Sequence, residues 1–175
     1  MEIFLIRHTS VDVPRNICYG QTDVPLKLSF EQEAEIVKQN LSEHAFDAIY
    51  TSPLSRCVKL ASYCGYPDAQ HDDRLKEMYM GDWEMKALDE IKDPRLQEWH
   101  NDFLHVSTRN GESYQDILAR VSSFLNEIKS FGYNKIAIFA HGGVLLSAQI
   151  YAGVITPAES LKKLPSFGEI ASITI

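Results

Sequence analysis

The sequence has little of what several common classes of protein depend on. Its 175 residues include only three cysteines, Cys18, Cys57 and Cys64, an odd number without the spacing of a disulfide framework. The 17 lysines and arginines are outnumbered by 24 aspartates and glutamates, so the net charge is −7 at pH 7. General binders of nucleic acids and membrane surfaces rely on basic patches, so we expect no partner of either kind.

A secretory signal pattern is also missing, because Met1 and Glu2 lead directly into the first apolar run. We therefore expect a cytoplasmic protein with reduced thiols. Residues 136–155 contain no Lys, Arg, Asp or Glu and are nominally long enough to span a membrane. His141 and two glycines interrupt this stretch, however, and its halves are typical of a short buried strand and a short buried helix.

Three motifs of phosphate and hydrolytic chemistry are absent. There is no Gly-x-x-x-x-Gly-Lys loop, no cysteine with an arginine six residues later, and no His-Glu-x-x-His zinc spacing. The contiguous triplet at residues 71–73 is a poor metal site because neighbouring side chains on a strand point to opposite faces. The Ser-x-x-Lys spacing at residues 160–163 is interpreted as a solvated helix face. We expect neither metal nor cofactor, and a histidine nucleophile remains among the phosphate chemistries.

Apolar segments that end in turn residues alternate with segments of helical periodicity. Strands are predicted at residues 2–6, 47–53, 135–140 and 170–175, with a weaker one near 69–71. Helices are predicted at residues 29–40, 54–64, 113–131 and 144–152, with another starting at 156–159 and partly helical structure between 72 and 110. Ser29 and Gln32 have the spacing of a capping box. This alternation predicts a largely parallel sheet covered on both faces, in a single domain spanning residues 1–175.

Charged and titratable side chains follow three of these strands. Arg7 and His8 follow the first, Ser52 and Arg56 follow the second, and His141 follows the strand at 135–140. Ligands of such sheets bind at the carboxyl ends of the strands, so we expect these groups to meet. The helices that begin there would add free N–H groups and positive dipole ends. Together they predict a pocket for a tetrahedral dianion, whereas the isolated histidines are interpreted as surface residues: His44, His71, His100 and His105.

Five sequence blocks resemble, in order, the signature blocks of the histidine phosphatase superfamily, which contains the cofactor-dependent phosphoglycerate mutases. The blocks are LIRHT, YTSPLSRC, LKEMYMGDWE, NGESYQDILARV and FAHGGVLL, spread from Phe4 to Leu146. Within the superfamily, CYGQTDVPL resembles the α-ribazole-5′-phosphate phosphatases of cobalamin biosynthesis. The resemblance implies an α/β fold of the phosphoglycerate mutase type, with three α/β/α layers and a mostly parallel sheet that has an antiparallel edge strand.

The resemblance also implies roles for individual residues. His8 would attack phosphorus and become a phosphohistidine that water hydrolyses. Arg7, Arg56 and His141 would hold the phosphoryl oxygens, and Glu77 would protonate the leaving alkoxide and then deprotonate the water. The remaining candidates for binding phosphate or substrate are Thr9, Gln21, Thr22 and Gly142, and Tyr19, Tyr79, Trp83 and Arg109 are candidates for recognising the rest of the ester.

The chain departs from the family pattern in ways that bear on its activity. Val11 lacks a hydroxyl that often helps to bind phosphate, and Pro14 stands at the usual position of an asparagine. Relative to the mutases the region of residues 72–110 is short, which favours access of water and hence hydrolysis. We expect a metal-independent phosphomonoesterase for a small-molecule ester, α-ribazole 5′-phosphate. The alternatives are a broad-specificity or sugar-phosphate phosphatase and a non-catalytic module that binds a phosphorylated ligand; a homodimer is compatible with the sequence.

Overall fold

Five strands form one mixed sheet. A computed structural model describes residues 1–160 and 163–175, with β1 at Glu2–Arg7, β2 at Ala48–Thr51, β3 at Gln70–His71, β4 at Lys135–Ala140 and β5 at Ile170–Thr174. The order is β3-β2-β4-β1-β5. The first four strands run parallel, and β5 pairs antiparallel with β1 at the edge. The predicted mostly parallel sheet with an antiparallel edge strand is therefore confirmed.

The described residues form six α-helices between the strands. They are α1 at Phe30–Leu41, α2 at Ser55–Tyr63, α3 at Arg95–Asn101, α4 at Tyr114–Lys129, α5 at Gly142–Tyr151 and α6 at Pro157–Ser160. Short 3-10 turns occur at Asp73–Leu75, Gly81–Trp83 and Leu88–Glu90. The region between β3 and α4, predicted as mixed, therefore consists of turns and one short helix.

The helices cover both faces of the sheet. Successive residues of a strand point to opposite faces, and the core accordingly divides into two clusters. Ile6 and Phe139 pack with residues of α1 and α2, whereas Leu5 and Ile138 pack with residues of α4 and α5. Because β1 and β4 are buried on both sides, their sequences are continuous apolar runs. The predicted three-layer α/β/α architecture is confirmed.

The start of α1 lies where the sequence predicts it, but the predicted capping box of Ser29 and Gln32 is wrong. The Ser29 side chain makes no cap bond to the backbone. Its hydroxyl instead donates to Glu33 Oε1 at 2.6 Å, while Glu33 Oε2 accepts the backbone N–H of Ser10 at 2.8 Å. Glu33 thus attaches α1 to the loop after β1. Because the Ser29 hydroxyl is bonded to Glu33, it does not cap the helix.

Two stretches of ambiguous sequence have defined places in the fold. The apolar residues 136–155 divide into β4 and α5, and no helix in the described ranges is long and apolar enough to cross a membrane. At the end of α6, Ser160 is 1% exposed, so the predicted solvated face is wrong for this residue, whose hydroxyl donates to the carbonyl of Pro157. Residues 161 and 162 of the same motif lie outside the described residues.

Candidate active site

The carboxyl ends of three adjacent strands bring together the side chains that the sequence placed at strand ends. In the sheet, β4 lies between β1 and β2, and all three run parallel. The rings of His8 and His141 consequently lie edge to face, with 5.2 Å between their centroids. Arg56, in the first turn of α2, donates from Nε to Nδ1 of His141 at 3.3 Å. The predicted meeting of these groups is observed.

His8 is held as a neutral imidazole in one tautomer. Its ring is buried, and Nδ1 lies 2.8 Å from the carbonyl oxygen of Thr9. A carbonyl only accepts hydrogen bonds, so Nδ1 carries the proton and Nε2 keeps its lone pair. Burial, reinforced by the positive charge of Arg56, lowers the pKa of His8 to about 3. The ring therefore presents an unprotonated nitrogen at neutral pH.

His141 is neutral for the same reason but makes different contacts. Burial and then the charge of Arg56 lower its pKa well below the ordinary value. Because its Nδ1 accepts from Arg56, its Nε2 carries the proton and donates to Ser52 Oγ at 2.8 Å. Both ring nitrogens are thus bonded to protein groups. A contact between His141 and a ligand oxygen requires the exchange of one of these two bonds.

The guanidinium of Arg56 is completely buried and relies on the loop before α1 for acceptors. Its Nη1 donates to the carbonyl of Thr22 at 3.0 Å, and Nη2 donates to the carbonyl of Gly20. A side chain at position 20 would collide with the backbone, since an added Cβ would lie 1.7 Å from the carbonyl oxygen of Met78. Glycine is therefore required where the loop passes this close to the chain.

Glu84 holds this loop in place and was missed by the sequence analysis. Its carboxylate accepts N–H groups from Gly20, Gln21 and Thr22 at 3.1, 2.8 and 3.3 Å, the Thr22 hydroxyl at 2.7 Å and the N–H of Met80 at 3.1 Å. Burial alone would raise the pKa of Glu84, but these hydrogen bonds outweigh it, and the pKa is lowered. Its position in the block that carries Glu77 is its only signal in the sequence.

Glu77 lies beside the first turn of α5. Its carboxylate accepts the N–H groups of Met78 at 3.0 Å and Gly143 at 3.2 Å. Its backbone carbonyl accepts the Gln21 side-chain amide and Arg120, each at 3.0 Å. An added Cβ at Gly143 would lie 2.4 Å from Glu77 Oε1, so this approach depends on glycine. The carboxylate is fixed at the amino end of a helix that also carries His141 as its N-cap.

The prediction that the two helix N-termini offer free N–H groups is wrong at two positions. At α2, the Ser55 N–H donates to Asp23 Oδ1 at 3.0 Å. At α5, the Gly143 N–H donates to Glu77, as described above. The positive end of a helix dipole attracts any nearby carboxylate, and here the chain supplies its own.

Unpartnered donors remain next to His8. Arg7 stacks on Phe167, with 4.1 Å from its guanidinium carbon to the ring centroid, and its Nη1 donates to the carbonyl of Pro165. Arg7 Nε and Thr9 Oγ1 are buried and lack hydrogen-bond partners within residues 1–160 and 163–175. Burial lowers the pKa of Arg7. An added Cβ at Gly142 would lie 2.6 Å from Leu164 Cδ1 and in ordinary contact, 3.5 Å, with the guanidinium carbon of Arg7. The two orphan donors are available to an anion.

The other candidate residues fall into two groups. Tyr19, Val11 and Pro14 line a cavity of about 380 Å³ together with Arg7 and Phe167. The Gln21 amide and the Thr22 hydroxyl already bond to Glu77 and Glu84, so they position protein groups. Elsewhere, the Trp83 indole and the Arg109 guanidinium both donate to Asp93, at 3.2 Å and 2.7 Å, and stabilise the turn region, whereas Tyr79 is 42% exposed.

Across the described ranges, no cluster of three His, Cys, Asp or Glu side chains could hold a metal ion.

The sequence pattern of the histidine phosphatase superfamily (branch 1) matches residues 3–175, nearly the whole chain. The chain belongs to this superfamily. It is 29% identical over 169 residues to the adenosylcobalamin/alpha-ribazole phosphatase of Escherichia coli strain K12, covering 92% of this chain and 83% of that protein. It is 25% identical over 175 residues to phosphoserine phosphatase 1 of Hydrogenobacter thermophilus, covering 96% and 82%.

Solved structures show the same similarity. The alpha-ribazole phosphatase from Shigella flexneri superposes with a TM-score of 0.90 at 25% identity, covering 100% of this chain and 91% of that one. The resemblance in the five blocks is therefore confirmed, and the fold is of the phosphoglycerate mutase-like, three-layer type. This member of the superfamily is a phosphatase.

The protonation state of His8 can be observed by NMR. In a long-range ¹H–¹⁵N spectrum we expect His8 as the Nδ1–H tautomer, unchanged between pH 8 and 5, because its pKa of about 3 lies below this range. The ring resonances of exposed His100 serve as the control. A His8 resonance that shifts with a midpoint near 6.5 would contradict the buried, carbonyl-bonded geometry.

The variant Glu84→Gln tests whether Glu84 holds the loop whose carbonyl groups accept from Arg56. Because the pKa of Glu84 is lowered on folding, its charge stabilises the protein above its ordinary pKa of about 4.3, and this contribution disappears as pH falls through the folded value. Urea unfolding at pH 7 should show a loss of about 2 kcal/mol, the scale of hydrogen bonds to a charged group. Below about pH 4 the unfolding free energies of Glu84→Gln and wild type should become more similar. Glu35→Gln on α1 is the matched control. An equal loss at both pH values would contradict this role.

Proposed function

We propose that this phosphatase is a metal-independent phosphomonoesterase that works through a phosphohistidine at His8. The observation that carries the proposal is the hydrogen bond from Nδ1 of His8 to the carbonyl of Thr9. It leaves the lone pair of Nε2 free, and burial beside Arg56 keeps the ring neutral. A nucleophilic histidine needs both conditions, since a protonated ring has no lone pair to give.

Phosphate binding relies on groups that the protein leaves partly unused. Arg56 has three of its five N–H groups bonded to protein acceptors, which leaves two for phosphoryl oxygens. Arg7 Nε and Thr9 Oγ1 are buried donors with no partner in the described part of the chain. Two guanidinium groups and a hydroxyl suit the equatorial oxygens of a phosphoryl group in transfer. The Nε2–H of His141 becomes a further donor if it gives up its bond to Ser52 Oγ and binds a phosphoryl oxygen instead.

The proposed reaction has two steps. First, His8 Nε2 forms a bond to phosphorus while the bond from phosphorus to the ester oxygen breaks, and Glu77 gives its proton to that oxygen. Second, Glu77 takes a proton from water, the water oxygen bonds to phosphorus, and the bond between nitrogen and phosphorus breaks, releasing inorganic phosphate. The hydrogen bonds from Met78 and Gly143 fix the carboxylate for both steps.

The proposed substrate is α-ribazole 5′-phosphate or a related small phosphate ester. This choice is supported by the CYGQTDVPL segment and by the alpha-ribazole phosphatases among the similar proteins. A broad-specificity or sugar-phosphate phosphatase is the alternative, and the similarity to a phosphoserine phosphatase favours testing it. The third alternative, a non-catalytic binding module, is set aside because the chain is a phosphatase.

Trapping the intermediate tests the role of His8. Wild-type protein mixed with p-nitrophenyl phosphate in EDTA and quenched in alkali or acid should carry a phosphate that is stable in alkali and labile in acid. His8→Ala should carry none, and its kcat should fall by at least about a thousandfold, as expected for loss of a nucleophile. His100→Ala, on exposed α3, is the control. The proposal would be overturned if EDTA abolished the activity, or if His8→Ala still carried the alkali-stable, acid-labile phosphate.

The proton-donor role of Glu77 can be separated from general damage by varying the leaving group. Glu77→Gln should lower kcat/KM about a hundredfold or more for an alkyl ester such as ribose 5-phosphate, because the alkoxide needs a proton to leave. The loss should be much smaller for p-nitrophenyl phosphate, whose phenolate leaves without one. Equal losses for both esters would show that Glu77 only supports the structure.

A further inference from the structure

The strand β5 forms one edge of the sheet, and three of its residues turn their backbone groups away from the sheet. Met1 and Ile175, at the ends of β1 and β5, exchange two backbone hydrogen bonds, at 2.8 and 3.0 Å. In antiparallel strands such bonded pairs alternate with pairs whose N–H and C=O groups point outwards. The register therefore directs these groups of Ile170, Ser172 and Thr174 outwards, and they have no hydrogen-bond partner among the described residues.

This edge lacks the features by which sheets usually avoid pairing with another chain. Those features are short strands, charged side chains, proline and bulges. The opposite edge has two of them, because β3 consists of only Gln70 and His71 and lies between Asp68 and Asp72. In contrast, residues 170–175 include no Lys, Arg, Asp, Glu or Pro, and β5 pairs with β1 over five consecutive residues without a bulge. The β5 edge is therefore open to another strand.

An exposed apolar side chain flanks this edge on the face of the sheet that α1 covers. One side of α1 faces α2, where Glu35 accepts from the Tyr63 hydroxyl at 3.4 Å. Its inner side carries Val37, which an added Cβ at Gly168, two residues before β5, would contact at 3.4 Å. Ile36 is turned about 100° from each of its two neighbours, so it faces neither α2 nor the sheet, and it is 60% exposed. Apolar surface is thus present beside the open edge.

We propose that two copies of this chain associate through β5, in antiparallel orientation, around a two-fold axis at Ser172. Ser172 then lies opposite Ser172 of the second copy, and Ile170 of each copy lies opposite Thr174 of the other. Each of these three pairs exchanges two backbone hydrogen bonds, so the two sheets become one continuous sheet. The inference is independent of the proposed function, since it concerns the edge of the sheet and no group of the active site.

The self-complementary edge favours a second copy over an unrelated peptide. A residue on a two-fold axis meets its own copy, so a charged side chain there would repel itself, whereas Ser172 is small and uncharged. Because the axis is perpendicular to the sheet, the α1 helices of both copies lie on the same face, with an exposed Ile36 on each side of the junction. A stable interface needs roughly 1,000 Å² of buried surface, and these helix flanks add to the strand pair. An unrelated peptide would use the same backbone groups and leave the purified chain monomeric.

Analytical ultracentrifugation of the purified protein tests the association. At about 0.3 mM we expect a mass of about twice the 19.9 kDa of the chain, since this concentration populates dimers with a Kd of about 0.1 mM or below. Ser172→Lys opposes two ammonium groups at the axis and should raise the Kd at least about tenfold. Gln70→Lys, at the β3 edge, is the matched control and should leave the Kd unchanged. Circular dichroism and phosphatase activity report whether both variants stay folded.

Cysteine cross-linking tests the register. Residues opposite each other in a hydrogen-bonded antiparallel pair have Cα atoms about 5.5 Å apart, a distance that a disulfide can bridge. Ser172→Cys should therefore form a covalent dimer under mild oxidation. Thr174→Cys should not, because the two copies of residue 174 would lie about 14 Å apart, four residues along the paired strands. The three native cysteines are buried, so wild type should remain without cross-links.

Four results would overturn the inference. They are a wild-type protein that stays monomeric, a Kd that rises no more in Ser172→Lys than in Gln70→Lys, the absence of a cross-link in Ser172→Cys, and a cross-link in Thr174→Cys as strong as that in Ser172→Cys. None of these results bears on the phosphohistidine, because trapping of the intermediate is measured separately.

Discussion

The buried guanidinium of Arg56 is the interaction on which the rest of the site depends. A charge with no solvent exposure is strongly unfavourable unless its donors reach acceptors, and Arg56 reaches the carbonyls of Gly20 and Thr22 and the ring of His141. Those carbonyls point at Arg56 because Glu84 binds three consecutive N–H groups of the loop. The ring is in reach because β2 and β4 are neighbours in the sheet. The loop at residues 20–22, the pairing of β2 with β4 and the Glu84 carboxylate therefore all serve to satisfy the Arg56 guanidinium.

The same concentration of positive charge sets the chemistry of the site. In a chain with a net charge of −7, burial lowers the pKa of His8, and the positive charges of Arg56 and Arg7 lower it further, so the ring is unprotonated. The protein leaves Arg7 Nε and Thr9 Oγ1 without partners among the described residues, and the proposed function assigns these donors to the phosphoryl group. Backbone N–H groups of Met78 and Gly143 hold the carboxylate of Glu77 beside the first turn of α5. The mechanism proposed above needs a neutral histidine, positive groups around it and a carboxylate, and these are the parts present.

The sequence predicted those features of the fold and site that follow from local residue patterns or from the general properties of parallel sheets. Continuous apolar runs indicated buried parallel strands, and the rule that ligands bind at their carboxyl ends placed Arg7, His8, Arg56 and His141 together. Predictions about individual hydrogen bonds were weaker. The Ser29 hydroxyl binds Glu33 rather than capping α1, and Asp23 and Glu77 take N–H groups that were expected to be free. A polar side chain has several acceptable partners, and its neighbours in space decide among them.

The sequence by itself determined the layers of the fold, the strand ends that carry the reactive groups and, through its five blocks, the superfamily. Those features depend on periodicity and on residue type, which are written in the chain. Only the tertiary structure decided the roles of Glu84 and Thr22, the tautomer of His8 and the cavity beside Arg7. These features arise from backbone N–H and carbonyl groups and from the space between distant side chains. Every residue except proline has the same backbone groups, so the sequence does not reveal their partners, which are set only when the chain is folded.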